Sequence, residues 1–397
     1  MYKTKLSFII VMLFALSSCE ELIPEAPAEN ELLDGPTDGL THGEQLQFLK
    51  GDIAFNDEVF SSTNGLGPGF VATSCGSCHA GDGKGHPFTT LTRFGQTRPN
   101  TLPNLSMGGP QLQNRAIPGF QPEKLPDGTP SMKFTPPAVT GLGFLASLTD
   151  QQILQNVDSL DLDGDGISGV PNYITPPIYF EQQPLHQPVR GRVIGRFGKK
   201  AAAIDLLQQT VSAYNQDMGV TSTFEPVDPM SQLSTDPEVL DQTIRDVVFY
   251  LRTLKAPIPR SEDNIEVLRG KALFTQIECS SCHIPEWTTP GSDIAALSNK
   301  TFFPYTDLLL HDMGPGLDDG VTEGSAETFE WRTPALWGLG LSPNSQGGSY
   351  FLMHDGRAKS IDQAIVLHGG EAENSKNQYT VLSDSDREAL IKFLESL

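Results

Sequence analysis

Cys75-Gly-Ser-Cys78-His79 and Cys279-Ser-Ser-Cys282-His283 decide how this chain is read. Both are Cys-x-x-Cys-His runs, and between them they take four of the five cysteines. The fifth, Cys19, closes Leu16-Ser17-Ser18-Cys19, so no cysteine is left over for a disulfide or a free thiol. Cys-x-x-Cys-His is the pattern of covalent c-type haem attachment: two thiols add to the haem vinyl groups, and the adjacent histidine binds iron. Two copies in a chain this poor in cysteine predict two haems, held through Cys75, Cys78, Cys279 and Cys282, with His79 and His283 as axial ligands. Zinc binding and dithiol exchange are the alternatives to this reading.

The two motifs sit in matching surroundings. Gly51-Asp-Ile-Ala-Phe55 precedes the first and Gly270-Lys-Ala-Leu-Phe274 the second. On a helix, residues four apart share a face, and glycine there lets another helix approach closely. Two closing helices are also expected. Asp236-Pro237 opens a run with Leu240, Ile244, Val247, Val248, Leu251 and Leu254 at helical spacing, ending at Pro257 and Pro259. At the terminus, Ser383 or Ser385 caps a stripe of Leu390, Ile391, Leu394 and Leu397. The expected fold is mainly α: two cytochrome c-like haem domains, at 42–256 and 261–397, joined by Pro257–Arg260. Residues 84–235 form a large proline- and glycine-rich, loop-rich insertion in the first domain, with one helix expected over Ala201 to Tyr214.

Residues 1–19 read as a signal peptide. Lys3 and Lys5 precede an apolar stretch, Leu6 to Leu16, that is short for a membrane span. Leu-Ser-Ser-Cys fits a lipoprotein cleavage site with Cys19 as the lipidation point; an ordinary signal peptide is the alternative. Export is expected either way, with a lipid anchor facing the periplasm or cell surface as the only membrane contact. Residues 20–41 read as a flexible tether. The formal net charge of −22 makes nucleic acid an unsuitable partner and suits a positively charged electron-transfer protein, although acidity also serves solubility.

Further motifs carry a resemblance. Phe329-Glu-Trp-Arg-Thr-Pro-Ala-Leu336, Met353-His-Asp-Gly-Arg357 and Ser360-Ile-Asp-Gln-Ala-Ile365 resemble the bacterial dihaem cytochrome c peroxidase and MauG superfamily. Ile194-Gly-Arg-Phe-Gly198, Gln216-Asp-Met-Gly219, Leu310-His-Asp-Met-Gly314 and Leu367-His-Gly-Gly370 are similar to its dihaem oxidoreductase branch. The resemblance implies that the second haem takes its sixth ligand fourteen residues after the histidine of the His-Asp-Gly motif. From His354 that position is His368. The residues agree, because Ser360 caps a helix with Gln363 at its third position, and Ile361, Ala364, Ile365 and His368 share one face. A histidine packed in the core is the alternative. His311, His354 and Arg357 are candidates for groups around the haems.

The first haem is less determined. His86 lies seven residues past His79, a reach of about 24 Å at most. Met107, Met132 and Met218 are further candidates for its sixth ligand, and an open or water-bound iron is the preferred reading. Gln111, Gln113 and Arg115 are the candidate polar groups for moving a proton between peroxide oxygens. The resemblance also implies a tryptophan relay between the haems, yet no tryptophan precedes Trp287. Separately, Asp161-Leu-Asp163-Gly-Asp165-Gly-Ile167 matches the start of a calcium loop, with Asp161, Asp163, Asp165 and the Ile167 carbonyl as candidate Ca²⁺ ligands.

The expected function is that of a haem oxidoreductase of peroxidase type. Hydrogen peroxide would react at the first haem, and a small electron-donor or electron-acceptor protein would exchange electrons through the second. A non-enzymatic dihaem electron carrier and MauG-like oxidation of a partner molecule are the alternatives.

Overall fold

The computed structural model describes residues 27–95, 97–99 and 110–397. Cys19 with its leader, residues 20–26 of the expected tether, and Met107 lie outside the described residues. The helices that carry the architecture are α1 (His42–Asp52), α2 (Leu206–Ser212), α3 (Asp241–Thr253), α4 (Ile265–Gln276), α5 (Ile361–Val366) and α6 (Asp384–Ser396). Among the described residues the sheets are two-stranded antiparallel ladders, the longest pairing Leu91–Phe94 with Ser131–Phe134. The chain is thus helical with small sheets and long connections.

Two helix crossings repeat. α1 packs on α3, and α4 on α6. At the first crossing, a Cβ on Gly51 would lie 2.1 Å from the Asp246 carbonyl oxygen. At the second, a Cβ on Gly270 would lie 2.0 Å from the Ala389 carbonyl oxygen. Only a missing side chain permits such contact between backbones. Each glycine is followed four residues later by a buried phenylalanine. Phe55 lies 5.9 Å from the His79 ring and Phe274 lies 6.3 Å from the His283 ring, between centroids. The Gly-x-x-x-Phe pairs therefore fix both the crossing and the ring beside each motif histidine.

Several elements depart from expectation. α3 starts at Asp241, without the Asp236-Pro237 cap, and Leu240 is exposed. The chain before it is pinned elsewhere: the Glu238 N–H donates to the Thr221 carbonyl and the Asp236 carbonyl accepts from the Thr221 hydroxyl. The helix expected from Ala201 begins at Leu206, capped by Asp205, and its last turn widens into a π-turn over Ala213–Asp217. Residues 33–40, expected within the tether, pack onto the fold. Leu33 and Leu40 are buried, and Thr37 N–H donates to the Thr253 carbonyl at 2.7 Å. The α6 cap is Ser383, which accepts from Asp386 N–H.

The halves of the chain share a core. Phe48, Phe55, Val247 and Tyr250 belong to one apolar cluster with Trp287, Leu297, Phe302 and Trp337. A second cluster, including Phe274, Tyr305, Tyr379 and Phe393, fills the C-terminal half. The residues of the expected insertion hold a buried ion pair, Arg196–Asp150 at 2.5 Å. A charge pair so deeply buried specifies geometry more than it adds stability.

Candidate functional site

One cavity of about 410 Å³, mostly apolar, is lined by both Cys-x-x-Cys-His motifs. Cys75, Cys78 and His79 face it, as do Cys279, Cys282 and His283. The inward face of α5 and its C-terminal turn (Ile361, Ala364, Ile365 and His368) supplies another wall. The Ser360 hydroxyl caps α5 by accepting from Gln363 N–H at 3.0 Å.

Three histidines in this cavity share one arrangement. His79 Nδ1 lies 2.9 Å from the Pro137 carbonyl, His283 Nδ1 2.9 Å from the Tyr305 carbonyl, and His368 Nδ1 2.8 Å from the Ala364 carbonyl. A carbonyl only accepts, so each Nδ1 carries the proton and each Nε2 keeps its lone pair. Burial lowers His79 and His283 to about 4 and also lowers His368, so all three rings are neutral at physiological pH. A neutral imidazole with its outer nitrogen tied to a carbonyl is the form that binds a metal. His368 is close enough to His283 to influence its charge.

The thiols fit the same reading. Burial, then the charge of Asp217, pushes Cys75 up to about 12, and Cys78 rises to about 11 for the same reasons. Burial raises Cys279 to about 12 and also raises Cys282. Dithiol exchange needs a depressed thiol pKa, the opposite of what this cavity imposes. The donor set and its apolar walls fit two thioether-bound haems.

The candidate groups around the haems divide. His311 is buried at the second motif, with Nδ1 2.6 Å from Glu371 Oε2, Nε2 2.7 Å from Asp307 Oδ2, and Cys282 Sγ 3.6 Å away. Burial opposes its protonation, but the flanking carboxylates overcome this and hold it well above the usual range. His354 lines the cavity, stacked on Trp331, with Nε2 2.9 Å from Asp319. Arg357 lies outside the cavity lining, bonded to Asp355 and the Gly316 carbonyl.

Of the candidate sixth ligands for the first haem, Met218 lines the cavity. His86 instead stacks on Phe88 and abuts Phe351, and Met132 packs in a separate core with Phe134 and Trp331. Gln111, Gln113 and Arg115 are not in the cavity wall. The two glutamines are buried nearby, Gln113 donating to the Gln216 carbonyl, and Arg115 is exposed. The cavity instead holds Asp217, whose carboxyl burial raises to about 7. In the sequence Asp217 stands out only as part of Gln216-Asp-Met-Gly219, because the π-turn over Ala213–Asp217 leaves no periodic signal. Trp331 and Trp337 also line the cavity, so the indoles missing from the N-terminal half are supplied by the C-terminal one.

The acidic loop is more compact than its motif suggests. Asp158, Asp161 and Asp163 bring carboxylate oxygens within 4.8 Å of one another. Asp165 instead accepts from Ile167 N–H at 2.8 Å. Further along, Asn172 is fully buried, its amide donating to the Lys200 and Glu323 carbonyls and its Oδ1 accepting from Ser325 N–H.

The family described as "Di-haem oxidoreductase, putative peroxidase" matches residues 131–397, more than half of the chain, and the chain belongs to it. The matched segment contains Cys279–His283, and Cys75–His79 lies ahead of it. A search of curated proteins finds no match. Among solved structures, the chain is similar to Kuenenia stuttgartiensis hydrazine synthase pressurised with xenon, at 14% identity and a TM-score of 0.41 over 95% of each chain. It is also similar to a MauG-like protein associated with microbial copper homeostasis, at 13% identity and a TM-score of 0.40 over 94% of each chain.

Proposed function

We propose that this protein is an exported dihaem c-type oxidoreductase of peroxidase type, built from two haem domains at 42–256 and 261–397. The observation that carries the reading is the single cavity lined by both Cys-x-x-Cys-His motifs and by His368, with all three histidines neutral and oriented through Nδ1. Cys75, Cys78, Cys279 and Cys282 form the thioethers. His79 and His283 would each hold a haem iron, and His368 would be a further ligand to the second. In this reading no second side chain would hold the first haem, so that iron would be available to peroxide.

Bound haem supplies the iron at which peroxide is reduced and through which electrons travel. Reduction of one hydrogen peroxide takes two electrons and two protons and yields two waters. The electrons come from a small electron-donor protein. Asp217, beside the first motif and raised toward neutrality, holds and releases a proton within the cavity. Asp158, Asp161 and Asp163 are the candidate Ca²⁺ ligands, and Cys19 anchors the exported protein through lipid.

Met218 in the cavity wall favours a second reading, in which methionine fills the first haem's sixth position and the protein only carries electrons. Electron paramagnetic resonance of the oxidised protein separates the two. A high-spin ferric signal that cyanide converts to low spin supports the peroxidase reading. Two low-spin haems indifferent to cyanide would establish the carrier.

A further inference from the structure

Lys84, Lys199 and Arg332 face the cavity that both motifs line. Lys376, also in the wall, pairs with Glu373 at 3.3 Å; the other three cations require an explanation, because an unpaired charge in a mostly apolar wall is costly. Among the described residues neither lysine ammonium has a hydrogen bond or an ion pair with a carboxylate. Arg332 spends Nε on the Gly198 carbonyl at 2.9 Å and one terminal nitrogen on the Thr333 carbonyl at 3.0 Å. Neither partner carries charge.

Their placement is specific. Lys199 lies within electrostatic reach of His79, of Lys84 and of Arg332. Arg332 in turn feels Asp307, the carboxylate that bonds His311 and influences His283. All three cations thus share the cavity with both motif histidines. Burial lowers Lys84 to about 8, and burial with the neighbouring Lys84 and Arg332 charges lowers Lys199 to about 7, although Asp355 acts in the opposite direction. An anion in their midst would restore both.

We propose that Lys84, Lys199 and Arg332 form a carboxylate seat for haem propionate groups in the wall of the cavity that both Cys-x-x-Cys-His motifs line. The inference rests on the dihaem reading above. The ligand chemistry is that of a carboxylate anion, which a haem side chain or a small soluble acid could supply. Propionates are the source that the seat's position inside the haem cavity favours. Arg332 offers planar donors suited to carboxylate, and the lysines add compact charge.

The test uses the matured holoprotein with Lys199→Met, Lys84→Met and the charge-conserving Lys199→Arg. Intact mass gives haem content, and spectroelectrochemical titration gives both midpoint potentials with and without added acetate. The expected result is two haems in every variant. One midpoint potential falls in Lys199→Met and Lys84→Met, because a positive charge that favours the reduced state is gone, and Lys199→Arg restores it. Acetate changes nothing in the wild type. Unchanged potentials in both methionine variants would overturn the seat. So would an acetate-induced shift in the wild type that Lys199→Met abolishes, which would assign the cations to a soluble anion. Fewer than two haems in the wild type would instead refute the dihaem reading itself. If Lys199→Met fails to mature, Lys84→Met and Lys199→Arg carry the same readouts.

Discussion

His354 lies flat on Trp331, with ring centroids 3.7 Å apart and planes 7° apart, and Lys200 Nζ sits 4.0 Å from the centre of the same indole. Lys200 is held there by the carbonyls of Glu327, Thr328 and Glu330. Trp331 Nε1–H donates to the Leu317 carbonyl at 2.8 Å. An indole clamped on several sides in the shared cavity is suited to pass electrons between the motifs. Trp331→Leu should slow reduction of the first haem through the second at least several-fold, with both haems retained. Stopped-flow reduction followed at each haem's absorbance checks this. An unchanged rate would remove Trp331 from the route.

The two helix crossings predict paired stability effects. Gly51→Ala and Gly270→Ala each force a Cβ to about 2 Å from a carbonyl oxygen, so the helices must move apart. Overpacking of this kind costs about 1–3 kcal/mol. Gly43→Ala, in the first turn of α1 where a Cβ meets nothing within 4 Å, should be neutral or stabilising. Denaturant unfolding followed by circular dichroism reads all three. Equal midpoints for Gly270→Ala and Gly43→Ala would contradict the crossing.

The His311–Glu371 contact predicts a pH window. His311 is raised by its carboxylates against the effect of burial, so its contribution is full below about 6.5 and is lost as pH rises through the folded value. Glu371 runs the other way. Burial would raise it, but His311 and Ser168 bring it down to about 2, so its contribution is present above about 4.5 and lost as pH falls toward 2. His311→Gln should therefore cost most between about pH 4.5 and 6.5. The loss there should be about 3–5 kcal/mol, as for breaking a buried pair. Unfolding of wild type and variant across pH checks it, and a pH-independent difference would count against the pair.

Asp217 predicts a chemical effect with little structural cost. Asp217→Asn keeps the shape and removes the transferable proton. Peroxide consumption by the reduced holoprotein should fall by about 10²–10⁴-fold, the usual scale of general acid–base catalysis. Haem spectra should be unaltered. Turnover at the wild-type rate would show that another group moves the proton.

Much of this arrangement is legible in the chain because it rests on short, local rules. Cys-x-x-Cys-His requires the thiols and histidine side by side, and Gly-x-x-x-Phe places its residues on one helix face, so spacing alone reveals them. Ser360 and Gln363 announce α5, and His368 follows on its inward face. The parts that escaped are set by contacts distant in sequence. α3 loses its expected first turn because Thr221 captures residues 236–238. Asp217 points inward because the helix widens at Ala213, and the buried Gln111 and Gln113 read from sequence as equally good candidates. Trp331 reaches the shared cavity from the C-terminal half, where no count of tryptophans before Trp287 would look for it. Leu33 and Leu40 are too few to mark a packed segment until Thr37 pairs with Thr253.

Intact mass spectrometry of the matured protein under denaturing conditions tests the central claim most directly. The account predicts a mass above that of the polypeptide by two haem groups, falling to one when Cys75 and Cys78, or Cys279 and Cys282, are replaced by alanine. A bare polypeptide mass from correctly matured material would contradict it.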